Sequence, residues 1–155
     1  MITFEFQGLE RFSGYMKDVT NRVSDWKKAN EYIAARGWKD VMDHFSKEEG
    51  PDGKWKSLSE WTLRARRKGK GSGTARILQD TGTMRRSVKF RGTSSDAEVY
   101  TGIEYAATHQ YGRTARIGKR SITIPKRPFL WLSDKARKAI GDISLNYIIR
   151  GKAVE

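Results

Sequence analysis

Ser24-Asp-Trp-Lys-Lys-Ala-Asn-Glu-Tyr-Ile-Ala-Ala-Arg-Gly-Trp-Lys-Asp-Val-Met-Asp-His-Phe-Ser-Lys47 reads as one long helix. Trp26, Ala29 and Ile33, then Trp38, Val41, Met42 and Phe45, recur at three- and four-residue spacing and so share a face. The stripe shifts at Gly37, which predicts a bend. Upstream, Leu9, Phe12, Met16, Val19, Val23 and Trp26 form a second stripe of the same period. Asn21 to Asp25, between the two, is poor in helix formers and rich in capping types, so a break is expected there. Ahead of both helices, Ile2, Phe4 and Phe6 alternate with polar residues and predict a short first strand. The heptad pattern lapses at Asn30, which favours a helical hairpin packed on a sheet over a free coiled coil.

Beyond Lys47 the punctuation changes. Glu49-Gly-Pro-Asp-Gly53 is a turn signal. Ser59 is placed to cap a short helix through about Arg67, with Glu60 in its first turn. Lys68-Gly-Lys-Gly-Ser-Gly-Thr74 reads as a mobile basic loop. Asp80 to Arg86 predicts a single helical turn. Ser87 to Arg91 and Glu98 to Ile103 alternate around Gly92-Thr-Ser-Ser-Asp-Ala97 and predict a hairpin. Ser121 to Ile124 gives a strand that Pro125 and Pro128 end. Ser133 caps a last helix to about Ile149, with Ala136, Ala139, Ile140, Ile143 and Tyr147 on one face. The expected fold is α+β: an antiparallel sheet packed against an N-terminal helical hairpin and a C-terminal helix. With 155 residues, a single domain spanning 1–155 is expected.

Charge divides the chain. Net charge is +13, yet residues 1–50 hold 8 Lys/Arg against 9 Asp/Glu, a balance of −1. Residues 51–155 hold 23 against 9, a balance of +14. The excess gathers in two windows without an acidic residue. One contains Arg64, Arg66, Arg67, Lys68, Lys70 and Arg76; the other contains Arg113, Arg116, Lys119, Arg120, Lys126 and Arg127. Such windows are either solvated faces or contacts to a polyanion, of which nucleic acid is the commonest. The chain has no cysteine, which excludes disulfides, thiol catalysis and thiolate metal sites. It has no apolar run long enough to span a membrane, and Met1 to Phe6 does not read as a secretory signal. A cytosolic site of synthesis is the simplest expectation.

Three motifs follow in fixed order: Ile77-Leu-Gln-Asp-Thr-Gly-Thr-Met-Arg-Arg-Ser87, Tyr105-Ala-Ala-Thr-His-Gln-Tyr-Gly112 and Ile124-Pro-Lys-Arg-Pro-Phe-Leu130. Together with Phe45, Pro51-Asp-Gly53, Trp55 and Leu58-Ser59, they resemble the phage virion morphogenesis family of tail-completion or neck proteins. The resemblance implies a structural virion protein at the head–tail junction, joining a DNA-filled head to a finished tail. It further implies a homo-oligomeric ring, sixfold in the simplest case, touching head-closure and tail proteins, with double-stranded DNA a candidate in its channel. Neither an enzymatic activity nor a cofactor is implied. Two alternatives stay open: a tail terminator that caps the tube, and a free, sequence-independent nucleic-acid binder. The basic residues that would face DNA or an acidic partner are Arg64, Arg66, Arg67, Lys68, Lys70, Arg76, Arg113, Arg116, Lys119 and Arg120. Trp55 and Trp61, which flank the first window, are the candidate interface aromatics.

Catalytic readings of the same motifs are weaker. Asp80-Thr-Gly82 is the triplet of aspartic proteases, but a dyad sharing one proton needs an apolar setting, and Arg85 and Arg86 follow at once. Gly69-Lys-Gly-Ser-Gly73 lacks the spacing of a phosphate-binding loop. Asp40 and His44 are one helical turn apart, and a surface ion pair is expected there in preference to a metal site. His109 and Gln110 are expected to tie their motif to backbone. Trp26 and Trp38 are assigned to the core, and Trp131 to anchoring the last helix.

Overall fold

The computed structural model describes residues 8–68, 75–118 and 120–153. The expected first strand, Ile2 to Phe6, lies outside them, as do residues 69–74 of the expected loop. The elements in order are α1 (Leu9–Ser24), α2 (Lys27–Lys47), β1 (Glu49–Gly50), β2 (Gly53–Lys54), α3 (Glu60–Lys68) and α4 (Thr83–Ser87). Then come β3 (Lys89–Gly92), β4 (Ala97–Tyr100), α5 (Glu104–Tyr111), β5 (Arg113–Ile117), β6 (Arg120–Ile124) and α6 (Asp134–Arg150). The class is α+β, as expected. Among the described residues the strands form three separate antiparallel ribbons, β1–β2, β3–β4 and β5–β6. Helices α3, α4 and α5 separate the ribbons along the chain, and each ribbon is only two to five residues long.

Helix α2 is the spine. Ala29, Asn30, Ala34, Gly37, Asp40, Val41, His44 and Phe45 are all buried, so more than the single predicted face is covered. Its first half packs on α6, where Ala29 meets Ile143, Tyr147 and Ala153. Its second half enters the larger core of Val41, Phe45, Trp55, Ile77, Leu78, Met84, Val88, Ala106 and Phe129. Phe45 and Phe129 are both fully buried, with ring centroids 5.3 Å apart. The stripe shift at Gly37 has a steric reason: a Cβ there would lie 3.3 Å from Val99 Cγ2 and 3.4 Å from Leu132 Cδ2.

The polar residues of α2 are structural. Asp40 accepts hydrogen bonds from the Ser133 amide at 2.8 Å and the Ser133 hydroxyl at 2.7 Å. Ser133 in turn accepts from Ala136 N and caps α6, as its sequence position predicts. His44 Nε2 lies 3.4 Å from Asp40, its Nδ1 lies 3.2 Å from the Phe129 carbonyl, and its ring stacks on Trp131 at 4.2 Å. The expected surface ion pair is therefore a buried one: Asp40 and His44 are 6% and 2% exposed. Helical periodicity could not reveal this, because the covering groups arrive from more than eighty residues downstream.

Helix α1 behaves differently. The break falls where expected, with Asp25 in extended conformation closing α1 and its carboxylate accepting from Lys27 N at 3.0 Å. Beyond it α1 buries no residue at all. Its C-terminal turn meets the end of α6, where Arg22 donates to the carbonyls of Ile148 and Ile149 at 2.8 and 3.0 Å. Leu9, Phe12, Met16 and Val23 remain 60%, 62%, 44% and 50% exposed. The amphipathic stripe is real, but its Leu9, Phe12, Met16 and Val23 are left largely uncovered by the described residues.

The ribbon β3–β4 lies directly on α2. Asn30 donates to the Thr93 carbonyl at 2.8 Å, and a Cβ on Gly92 would fall 2.3 Å from Glu31 N. That contact is backbone on backbone, so no rotamer change relieves it. Gly92→Ala is expected to destabilise the fold by about 3 kcal/mol or more, read as a lower urea midpoint. An unchanged midpoint would show that ribbon and helix do not meet as described.

Candidate functional site

The three motifs and parts of both basic windows converge on one open cleft of about 1280 Å³. One wall is α3 with Trp61, Thr62 and Arg66, preceded by Lys56 to Ser59. The floor is Leu78 and Asp80 to Met84, and the far wall is Tyr105, His109, Ser121 to Pro125 and Arg127. Small-molecule sites typically enclose about 300–1,000 Å³. This cleft is larger and open, lined by both apolar and hydroxyl side chains, and suits a macromolecular segment.

Local chemistry holds each wall. Ser59 Oγ accepts from Thr62 N at 3.2 Å and starts α3 as predicted. Ile77 N donates to Glu48 Oε1 at 2.8 Å, and Gln79 Nε2 donates to the Phe45 carbonyl at 2.7 Å. These bonds pin the first motif to the end of α2. Glu48 and Leu78 both take left-handed backbone, at φ 56° and 58°, a conformation costly for a buried leucine. Gly82 is also left-handed, at φ 73°, and opens α4, with Thr81 Oγ1 accepting from Thr83 N at 3.4 Å.

The second and third motifs are strapped together by Gln110. Its Oε1 accepts from Phe129 N at 3.0 Å and Leu130 N at 3.1 Å, while Nε2 donates to the Leu130 carbonyl at 3.0 Å. The Arg127 amide donates to the His109 carbonyl at 2.7 Å. Gly112, at φ 77°, runs so close to the third motif that a Cβ there would lie 3.0 Å from Lys126 N. His109 packs edge-on to Tyr105 at 6.2 Å, and its Nδ1 is buried without a hydrogen-bond partner among the described residues. Burial first, and then the Arg127 guanidinium, holds its pKa below the ordinary histidine value.

The structure sorts the predicted basic residues. Arg64, Arg76, Arg113 and Arg116 are exposed; Arg64 pairs with Glu60 at 3.1 Å. Arg66 is a correction: it donates to the Arg76 carbonyl at 2.7 Å and lies 3.7 Å from Asp80, with its side chain only 12% exposed. It braces α3 against the first motif. Arg127, from the second window, is likewise buried, donating to the carbonyls of Lys56 and Ser57 at 2.9 and 3.2 Å. Burial and neighbouring Arg66 lower its pKa. Arg67, Lys68 and Arg120 are placed by backbone only, and Lys70 and Lys119 lie outside the described residues. Trp55 is a second correction: it is 6% exposed, and its indole donates to the Pro128 carbonyl at 2.9 Å. Trp61, at 78% exposure, is open at the cleft wall.

Sequence reading missed α5 and β5. Apolar residues of α5 do not line up on one side, and the charge of Arg113 to Ile117 masks a strand, although Gly118 and the pairing of Ala115 with Ile122 make it half of a hairpin. Beside Asp80, a guanidinium replaces the apolar shield that a shared-proton dyad needs.

The residues that bind the cleft together are those of the three motifs. Over residues 8–148 the chain matches the family model described as the phage virion morphogenesis family; it belongs to that family. No curated protein and no solved structure matches it. Among the described residues, no helix is long and apolar enough to cross a membrane.

Two outcomes follow from the clamp geometry. Gln110→Ala leaves two amides and a carbonyl unpaired and is expected to cost about 2–4 kcal/mol, read by urea unfolding. For His109, folding lowers the pKa. The native state is thus undisturbed above the unfolded value of 6.5, and stability is lost as pH falls through 6.5 toward the folded value. His109→Gln should flatten that part of the decline between about pH 7.5 and about pH 5; an identical slope in the variant would refute the assignment.

Proposed function

We propose that this protein works at the phage head–tail junction, as a neck or tail-completion subunit joining a DNA-filled head to the tail. It would do so as one member of a ring, hexameric in the simplest case, seated between head-closure and tail proteins. The observation that carries the reading is family membership combined with two dissimilar exposed surfaces: the apolar stripe of α1 and the cleft with its basic surroundings. A ring is a closed set of heterologous contacts, so each subunit needs two different, complementary surfaces. The mechanism is mechanical, with binding energy spread over interfaces.

Exposed Arg64 and Arg76 border one cleft wall, and Arg113 and Arg116 lie on the ribbon that forms the other. If this side faces the DNA channel, its contacts are with phosphates and carry no sequence preference. With roughly six phosphates neutralised, the log–log dependence of DNA affinity on salt has a slope of about −5. Affinity that ignores salt would place the basic side against acidic protein.

The deciding experiment is electron microscopy of particles made when the gene is inactivated in its source phage. Full heads beside free tails of normal length are expected. Overlong tails would reassign the protein to tail termination, and normal infectious particles would overturn both roles.

A further inference from the structure

We infer that the unpaired edge of β6 is a strand-addition site, and that the cleft before it takes an extended acidic segment of a neighbouring virion protein. Only the source of that segment rests on the head–tail reading; the edge and the charge in front of it do not. In an antiparallel pair, every second residue of a strand turns its N–H and C=O toward the partner, and the residues between turn theirs away. Among the described residues β6 pairs with β5 alone, so alternate residues of β6 present both groups on its other side. That side is the cleft. A strand lying flat on a cavity lines it with every second residue. Here Ser121, Ile122, Thr123, Ile124 and Pro125 line it consecutively, and no residue of β5 does. The ribbon therefore meets the cleft edge-on, and a free edge is a template for a further strand. Ser121 to Ile124 extends over about 13 Å, room for about four residues of an added strand.

The cleft also selects what is added. Its lining holds the cations Lys56, Arg66 and Arg127 against one acid, Asp80, which lies 3.7 Å from Arg66. The bonds of Arg127 go to the carbonyls of Lys56 and Ser57, which satisfy its donors and leave its charge uncancelled. The field inside is positive: after burial, Arg66 is what lowers the Arg127 pKa, and Arg127 what lowers that of His109. Carboxylates on an occupant complement that field. Trp61 and Ile122, 78% and 47% exposed, give its apolar side chains a surface over Leu78 and Met84. The occupant is thus an extended segment that combines Asp or Glu with apolar residues. DNA matches the charge and not the edge, because phosphate oxygens only accept hydrogen bonds and leave the outward carbonyls of β6 unmatched.

The test adds the full-length protein to fluorescein-labelled Glu-Val-Glu-Val-Glu-Val and follows anisotropy. A protein of net charge +13 attracts any polyanion, so the deciding control has the same charge: the same peptide with two adjacent central amides N-methylated, which blocks both of its edges. The Glu peptide is expected to bind, and the methylated peptide and Lys-Val-Lys-Val-Lys-Val to bind at least about 10-fold more weakly. Lys56→Glu with Trp61→Ala changes two exposed side chains, so the variant should fold, which circular dichroism checks, and should lose at least about 10-fold in affinity for the Glu peptide. Equal binding of the methylated peptide would overturn strand addition, and equal binding of the Lys peptide the selection by charge. No binding of the Glu peptide, or undiminished binding by the variant, would overturn the site altogether. A DNA duplex that displaces the Glu peptide and binds the variant more weakly would assign the cleft to nucleic acid instead. Failure of the head–tail role shows separately, as normal particles from the gene-inactivated phage, whatever the peptides do.

Discussion

Burying α2 on more than one side imposes a condition that the other elements answer. A helix with one apolar stripe needs one neighbour; a helix that buries Ala34, Gly37, Asp40 and His44 as well as Val41 and Phe45 needs to be wrapped. The ribbon β3–β4 covers one side through the close approach at Gly92, α6 covers another, and the segment from Arg127 to Ser133 closes over Asp40 and His44. Because a buried carboxylate and imidazole are tolerated only when hydrogen-bonded, that segment has to arrive with Ser133 and the Phe129 carbonyl correctly placed. Gln110 secures this by holding both ends of the Phe129–Leu130 backbone.

The cleft is a by-product of that wrapping. Its floor is fixed because Gln79 and Ile77 bond to the end of α2, and its far wall because Gln110 and the Arg127 amide join α5 to the third motif. Arg66 and Arg127, enclosed cations of the basic windows, brace the walls through backbone carbonyls. Exposed cations remain further out, on α3 and β5. The positive charge thus has two physical roles, one internal and directional, the other at the surface and diffuse.

Much of this was legible in the sequence. The stripes of α2 and α6, the caps at Ser59 and Ser133, the break near Asp25 and the β3–β4 hairpin all follow from local periodicity and turn chemistry. So did the backbone role of Gln110 and the family, from three motifs that proved to meet in space. What stayed hidden was non-local. Trp55 and His44 look like surface residues until Phe129 and Trp131 fold over them, and Arg66 is indistinguishable from Arg64 without knowing that Asp80 lies across from it. The stripe of α1 shows the opposite failure: a pattern that reads as core is exposed, because a sequence records that a face is apolar and not which molecule covers it.

The bond between His44 and the Phe129 carbonyl spans 85 positions, and this has a consequence for how the chain is made. Synthesis proceeds at roughly 5–20 residues per second, so the nascent chain carries α2 for roughly 4–17 s before its cover emerges from the ribosome. During that interval Phe45 lacks Phe129, and the Asp40–His44 pair lacks Ser133 and the Phe129 carbonyl. Fragments that stop short of Phe129 therefore lack Phe129, Ser133 and α6, which cover Asp40, His44 and the first half of α2. A late-arriving cover of this kind ties completion of the subunit to completion of its translation.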